Sequence, residues 1–149
     1  MKIYLGADHD GNQLKEAIKK ELQQDGYEAI DLSPHDPEGG DDYPDYAFLV
    51  GEEVAKDTNA RGVLVCDTGI GMSIAANKIK GVRAALVVDI FSAKKSREHN
   101  DANIIVFGTR IIDKNLAIEC TKYFLETMFS SAERHTRRNG KINLRDRYN

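Results

Sequence analysis

Val63-Leu64-Val65-Cys66-Asp67-Thr68-Gly69-Ile70-Gly71-Met72-Ser73-Ile74-Ala75-Ala76-Asn77-Lys78 changes character at its cysteine. An apolar, β-branched run stops at Cys66, a turn of small residues follows, and the remainder has the composition of a helix. Strand, turn, helix is the unit of a parallel α/β sheet. In such sheets ligands sit at the carboxyl ends of the strands, where the amides opening the next helix favour anionic groups. Along an extended chain Cys66 and Thr68 point one way and Asp67 the other. A thiol, a hydroxyl and several backbone N–H groups are therefore expected to converge on one small volume.

The same rhythm extends in both directions. Ile3–Leu5 reads as a first strand ending at Gly6-Ala7-Asp8-His9-Asp10-Gly11, and Leu14, Ala17, Ile18 and Leu22 then recur at helical spacing. Tyr27–Leu32 reads as a second strand, followed by a turn from Ser33 to Gly40 and a helix through Tyr46, Ala47, Val50 and Val54. Gly62–Val65 is the third strand, Val82–Val88 the fourth and Asn103–Phe107 the fifth. Helices are expected over Phe91–His99 and along Ala117, Cys120, Thr121, Phe124 and Leu125. Alternation with crossovers this short predicts an α/β fold, a parallel sheet with helices on both faces, in a single domain spanning residues 1–149. Residues from about 130 to 149 read as a basic C-terminal arm.

Charge separates the arm from the body. Residues 25–53 carry ten carboxylates and no Lys or Arg, whereas residues 131–149 carry a local charge of +4 on a chain of net −3. The arm lacks interleaved aromatics and the acidic body repels phosphates, so nucleic acid is not expected as a partner. The arm is better suited to packing on its own protein or a second copy, with its arginines serving a small phosphorylated ligand. No apolar run approaches the ~20 residues of a membrane span, so no membrane association is expected. Two cysteines without an export signal suggest a reducing, cytoplasmic setting.

Each candidate site has an ordinary reading beside it. A lone cytosolic cysteine is commonly structural, but Cys66 at a strand end beside glycines is placed for chemistry. Cys120 lies in an apolar stripe and reads as core. Neither has a second Cys or His at metal-ligand spacing, so no metal is expected. Gly69-x-Gly71, with Asp89 twenty residues on, imitates a dinucleotide fingerprint, but Ile74 occupies the third glycine's place. Asp8-His9-Asp10 suits a phosphatase-like aspartyl site, or turn and N-cap chemistry through Asp10 or Asn12. His99 at a helix end fits the dipole. Arg134 and Arg138, four apart, can share a helical face and grip one phosphate, or form a solvated charge run.

Together these pieces resemble the type B ribose-5-phosphate isomerases, a family that also includes galactose-6-phosphate isomerase subunits. The resemblance rests on Gly6-Ala7-Asp8-His9, Asp42-Tyr43-Pro44, the Cys66–Lys78 segment, Gly81-x-Arg83-Ala84, Ser96-Arg97-x-His99-Asn100-x-x-Asn103, Phe107-Gly108-x-Arg110 and Arg134-His135-x-x-Arg138, in order over nearly the whole chain. It implies a Rossmann-like α/β/α sandwich around a five-stranded sheet, and a homodimer, sometimes paired into tetramers, with active sites between subunits and the arm packed on the partner. It implies no cofactor. By this resemblance Cys66 is the base that moves a proton between C1 and C2 of ribose 5-phosphate or ribulose 5-phosphate. Backbone N–H groups of Asp67, Thr68, Gly69, Ile70 and Gly71, with the Thr68 side chain, stabilise the enediolate. His99 with Asp8 opens the sugar ring, Asn100 contacts the sugar, and His9, Arg110, Arg134 and Arg138 hold the phosphate. Some family members use a glutamate further along the motif, but Met72-Ser73-Ile74-Ala75 offers no acid here. Asp67 stands where the family usually has glycine, which leaves the choice among pentose, hexose and tetrose phosphates open. A non-catalytic nucleotide- or phosphate-binding module and a phosphatase built on Asp8 and Asp10 are the alternatives of other kinds.

Overall fold

The computed structural model describes residues 1–33 and 40–146. Most of the turn expected from Ser33 to Gly40, and Arg147 of the arm, lie outside them. The chain runs β1 (Lys2–Ala7), α1 (Asn12–Gln24), β2 (Glu28–Asp31), α2 (Tyr43–Lys56), β3 (Arg61–Cys66) and α3 (Ile70–Ala76). It continues through β4 (Ala84–Leu86), α4 (Ile90–Asn100), β5 (Ile104–Gly108), α5 (Lys114–Glu126) and α6 (Glu133–Arg145). All five strands are parallel, in the order β2-β1-β3-β5-β4. No helix among the described residues is long and apolar enough to cross a membrane.

Strand alternation divides the core. Ile3, Leu5, Val63, Val65, Ile105 and Phe107 face α1, α4 and α5, while Tyr4, Leu64, Cys66, Ile104 and Val106 face α2 and α3. Leu14, Ile18 and Leu22 of α1 are all buried, each contributing about 1.5–3 kcal/mol through apolar burial. From β1 the chain crosses to β2 on one side, and β3 lies on the other. That reversal opens a crevice between the carboxyl ends of β1 and β3, where Asp8 and Cys66 emerge. The end of β1 is pinned by a buried lysine: Lys15 Nζ donates to Asp31 Oδ1 (2.9 Å) and to the Ser33 carbonyl (2.8 Å), while Ser33 Oγ accepts the Ala7 N–H (2.9 Å).

The fourth strand is shorter than the apolar run Val82–Val88 predicts. Only Ala84–Leu86 form the strand, at the sheet edge against β5. The Asn77 side chain takes the place of a further neighbour, accepting the Ala84 N–H and donating to the Ala84 carbonyl, both at 2.9 Å. The arm is helix α6, mostly exposed and docked on α4 of its own chain through His135 and Asn139.

Candidate active site

Cys66 closes β3 at 5% exposure, and its Sγ accepts the Gly69 N–H at 3.1 Å. That contact requires the turn to fold back sharply. Gly69 supplies it with φ +74°, and a Cβ there would lie 2.5 Å from Leu86 Cδ1. The Ile70 N–H donates to Thr68 Oγ1 at 3.3 Å, so the hydroxyl faces the same turn. Around them lies a cavity of about 490 Å³, lined by Asp8, Tyr43, Cys66, Asp67, Thr68 and Gly71 among others. Tyr43 is the contributor that sequence reasoning quoted but did not assign. A Cβ on Gly71 would come within 2.5 Å of its ring, so that glycine makes room for the aromatic above it.

Asp8 is 7% exposed, and burial raises its carboxyl above the ordinary range. The Gly11 N–H donated to its Oδ1 (3.0 Å) works against that rise, while negative Asp10 and Asp41 add to it. The turn bond expected of Asp10 or Asn12 is thus made by Asp8, and the first position of α1 is capped by Gly11 without a side chain. His9 Nδ1 sits 2.6 Å from Asp41 Oδ1, a bond that raises the imidazole above its usual value and favours the cation. Asp41 was not anticipated.

Asp67 pairs its carboxylate with Arg110, whose Nε donates to Oδ1 at 2.6 Å. The backbones are also joined, Arg110 N–H to the Asp67 carbonyl at 3.1 Å. Asp89, the acid that completes the imitation dinucleotide motif, is spent as the N-cap of α4, accepting the Ser92 N–H at 2.6 Å. Cys120 is fully buried in the core, and that burial pushes its thiol up to about 11.

The remaining expected residues lie elsewhere. α4 runs antiparallel to the strands, and its end is tied to the start of β5: the Ala102 N–H donates to the Ser96 carbonyl, and Arg97 holds the Ala102 carbonyl. His99 and Asn100 are therefore at the amino edge of the sheet, while Cys66 pairs with Gly108 at the carboxyl edge. The five residues of β5 between the two edges span roughly 13 Å. His99 stacks on His135 of α6 with ring centroids 4.2 Å apart and planes 10° from parallel. His135 Nε2 accepts from Arg134 Nε at 3.2 Å. Burial, then the neighbouring positive charges of His99, Arg134 and Arg138, lower the His135 imidazole below its ordinary value. Arg134 and Arg138 are one helical turn apart and exposed on α6. Asn100 lines a separate cavity of about 460 Å³ between β4, α4 and α6. One chain thus brings Asp8, Cys66, Asp67, Thr68 and the Gly69–Gly71 turn together, with His9 and Arg110 nearby, and gathers His99, Asn100, Arg134 and Arg138 at the other edge.

A sequence model described as Ribose/Galactose Isomerase matches residues 3–142. The chain is 48% identical over 142 residues to a putative sugar phosphate isomerase, YwlF, of Bacillus subtilis, covering 95% of each. A solved ribose-5-phosphate isomerase B from Clostridium thermocellum superposes with a TM-score of 0.93 at 43% identity, covering 100% of both chains. The Mycoplasma genitalium ribose-5-phosphate isomerase B, solved with bound ribulose-5-phosphate, gives a TM-score of 0.93 at 38% identity over 99% of this chain and 97% of that one. With its thiol at the β1/β3 crevice and its motifs in family order, the chain belongs to the ribose/galactose isomerase family.

Proposed function

We propose that the protein interconverts D-ribose 5-phosphate and D-ribulose 5-phosphate, with Cys66 as the proton-transferring base. The observation that carries this is the cavity at the ends of β1 and β3. There a thiol, the Thr68 hydroxyl and a carboxyl with raised proton affinity line one volume of about 490 Å³. In the aldose-to-ketose direction the Cys66 thiolate takes the C2 proton, and the electron pair moves into a C1–C2 enediol while the carbonyl oxygen at C1 gains charge. Backbone N–H groups of the 67–71 turn and Thr68 are the donors for that oxygen. The carbon-bound proton is returned to C1, the C2 hydroxyl gives its proton to O1, and the C2 oxygen becomes the ketone, so atoms and electrons balance without an external oxidant. Asp8, holding its proton more tightly than an ordinary carboxyl, suits the transfer that accompanies ring opening, with His99 as its partner.

The charge distribution supports an active site shared by two copies. The thiol edge presents Asp8, Asp10, Asp41 and Asp67, a poor setting for a phosphate dianion, and its Arg110 is already paired. The basic groups sit on the α4–α6 face. A two-fold pair that sets the α4–α6 face of one copy over the thiol cavity of the other supplies His99, Asn100, Arg134 and Arg138 to each site. In that arrangement the arm packs on the partner as well as on its own α4.

A second reading, the same chemistry on a hexose or tetrose phosphate, is favoured by Asp67, which lines the cavity. Measuring kcat/KM for pentose, hexose and tetrose phosphates in the presence of EDTA tests both. Ribose 5-phosphate is expected to rank first with activity retained; a higher value for another sugar moves the assignment to it. Absence of turnover on all of them, or a strict Mg²⁺ requirement, overturns the proposal.

A further inference from the structure

Beside the amino ends of β3 and β5 lies a cavity of about 280 Å³ that takes no part in the isomerisation. Its charged lining is Arg61 at the start of β3, Arg83 just before β4, and Arg97 and Asp101 at the end of α4. One carboxylate stands among these three guanidinium groups and reaches two of them. Asp101 Oδ2 lies 3.1 Å from Arg83 Nη2 and Oδ1 lies 2.8 Å from Arg97 Nη1. Arg61 has no carboxylate within ion-pair reach among the described residues, and its Nη1 donates only to the carbonyls of Thr58 (3.0 Å) and Ala60 (2.7 Å). Its Nε and Nη2, and Nη2 of Arg97, carry N–H groups without a partner among the described residues.

Arg97 is 4% exposed, so its charge is screened little by water. Burial, then the like charge of Arg97 and next that of Arg83, push the Arg61 guanidinium below its ordinary value, against the pull of Asp101 and Asp57. Asp101 is held at φ +47°, a left-handed conformation uncommon outside glycine, in the position where its carboxylate bridges two of the arginines. The lining itself therefore carries three guanidinium groups against one carboxylate, with free N–H groups around it, while Asp57 and Asp146, whose Oδ2 accepts the Gly81 N–H at 2.9 Å, stand just outside.

We propose that this cavity binds a tetrahedral oxyanion of the phosphate class, free or as the terminal group of a phosphorylated metabolite, held by Arg61, Arg83 and Arg97. Forked donors on a concave surface are the usual chemistry of phosphate recognition. The site is linked to the α4–α6 face. Arg83 Nε donates to the Asn100 carbonyl at 3.1 Å and Nη1 to Asn143 Oδ1 of α6 at 3.4 Å. An anion here would firm the helix end that carries His99.

The test uses the full chain with Arg110→Ala, Arg134→Ala and Arg138→Ala, which removes the arginines assigned to the substrate phosphate, and it needs no turnover. Inorganic phosphate is titrated against chloride at constant ionic strength while the melting temperature is read. A rise of ~2–4 °C is expected near saturation, and no rise once Arg61→Gln is added. An equal rise in the Arg61→Gln chain, or none in its parent, overturns the site. Arg61→Lys, which keeps the charge but not the fork, is expected to weaken binding at least several-fold, and unchanged affinity there counts against it. Selenate soaked into crystals of the unaltered chain reads the place directly and does not depend on how the variants fold. An anomalous peak within hydrogen-bond reach of Arg61 and Arg97 supports the proposal; an empty cavity overturns it. Ribose 5-phosphate binding more tightly than inorganic phosphate identifies the occupant as a phosphorylated metabolite, and equal affinity identifies the free anion.

Discussion

The two edges of the sheet are built differently. At the carboxyl edge a nearly buried sulfur accepts an N–H from its own turn, and four aspartates surround the crevice. At the amino edge two imidazoles stack under exposed arginines on an amphipathic helix. The first edge has the geometry for moving a proton but a poor charge for holding a phosphate. The second has the cations without a base positioned by a strand end. Their opposite charges suit the two-fold pairing proposed above, in which each edge supplies what the other lacks.

The largest expected effect breaks the carboxyl edge alone. Cys66→Ala is expected to lower kcat by about 10²–10⁴-fold, the range for removal of a positioned base, with circular dichroism and phosphate binding unchanged. Turnover near the unaltered rate would remove Cys66 from the mechanism. The comparison itself is tested by mixing inactive Cys66→Ala and His99→Ala chains after partial denaturation and refolding. If sites form between copies, statistical pairing gives about a quarter of the unaltered activity. No recovery would mean that His99 and Cys66 do not serve a common site formed between copies.

Arg138→Ala isolates the amino edge. A KM increase of ~10–100-fold with little change in kcat is expected if it binds the phosphate equally in ground and transition states. An unchanged KM would remove it from the site. Acid separates the edges by stability. Burial works against ionisation of Asp31, yet hydrogen bonds from Lys15, Ser33 and Lys19 prevail and hold its carboxyl at about 2, below its ordinary 3.8. Its contribution is therefore complete above the ordinary value and is lost as pH falls toward 2. Hydrogen exchange is expected to show the amides of β2 and the end of β1 losing protection over that interval before those of α4. Asp31→Asn is expected to be less stable at neutral pH and to flatten the acid dependence.

How much could be read in the sequence follows the same division. Strand ends are local, so Cys66, Thr68 and Asp8 were legible from a β-branched run stopping at small residues. The helix termini were less so: Asp89 resembles a ribose-binding acid until Ser92 is seen to complete its capping box. The predicted parallel sheet already implies that α4 runs back toward the amino edge, which carries His99 and Asn100 away from Cys66, but residue spacing alone does not show that separation. Nor could it supply contacts across the fold, such as Asp41 on His9 or Tyr43 over Gly71. β4 was overestimated because an edge strand is limited by its pairing and not by its hydrophobicity.

The smallest effect concerns the residue that joins the two chemistries. Asp67 lines the thiol cavity yet spends its charge on Arg110, a cation assigned to the substrate phosphate. Both groups are well exposed, so the pair holds weakly and a phosphate dianion competes for the guanidinium. Asp67→Gly is therefore expected to lower KM for ribose 5-phosphate by about two- to five-fold. Because the thiol and its N–H contact are untouched, kcat is expected to stay constant. Arg110→Ala supplies the control. Its cost in KM is expected to be larger in the Asp67→Gly chain than in the unaltered one, since only there is the arginine free to serve the phosphate. Additive effects would mean that the 2.6 Å bond opens without consequence, leaving Asp67 a tolerated turn residue.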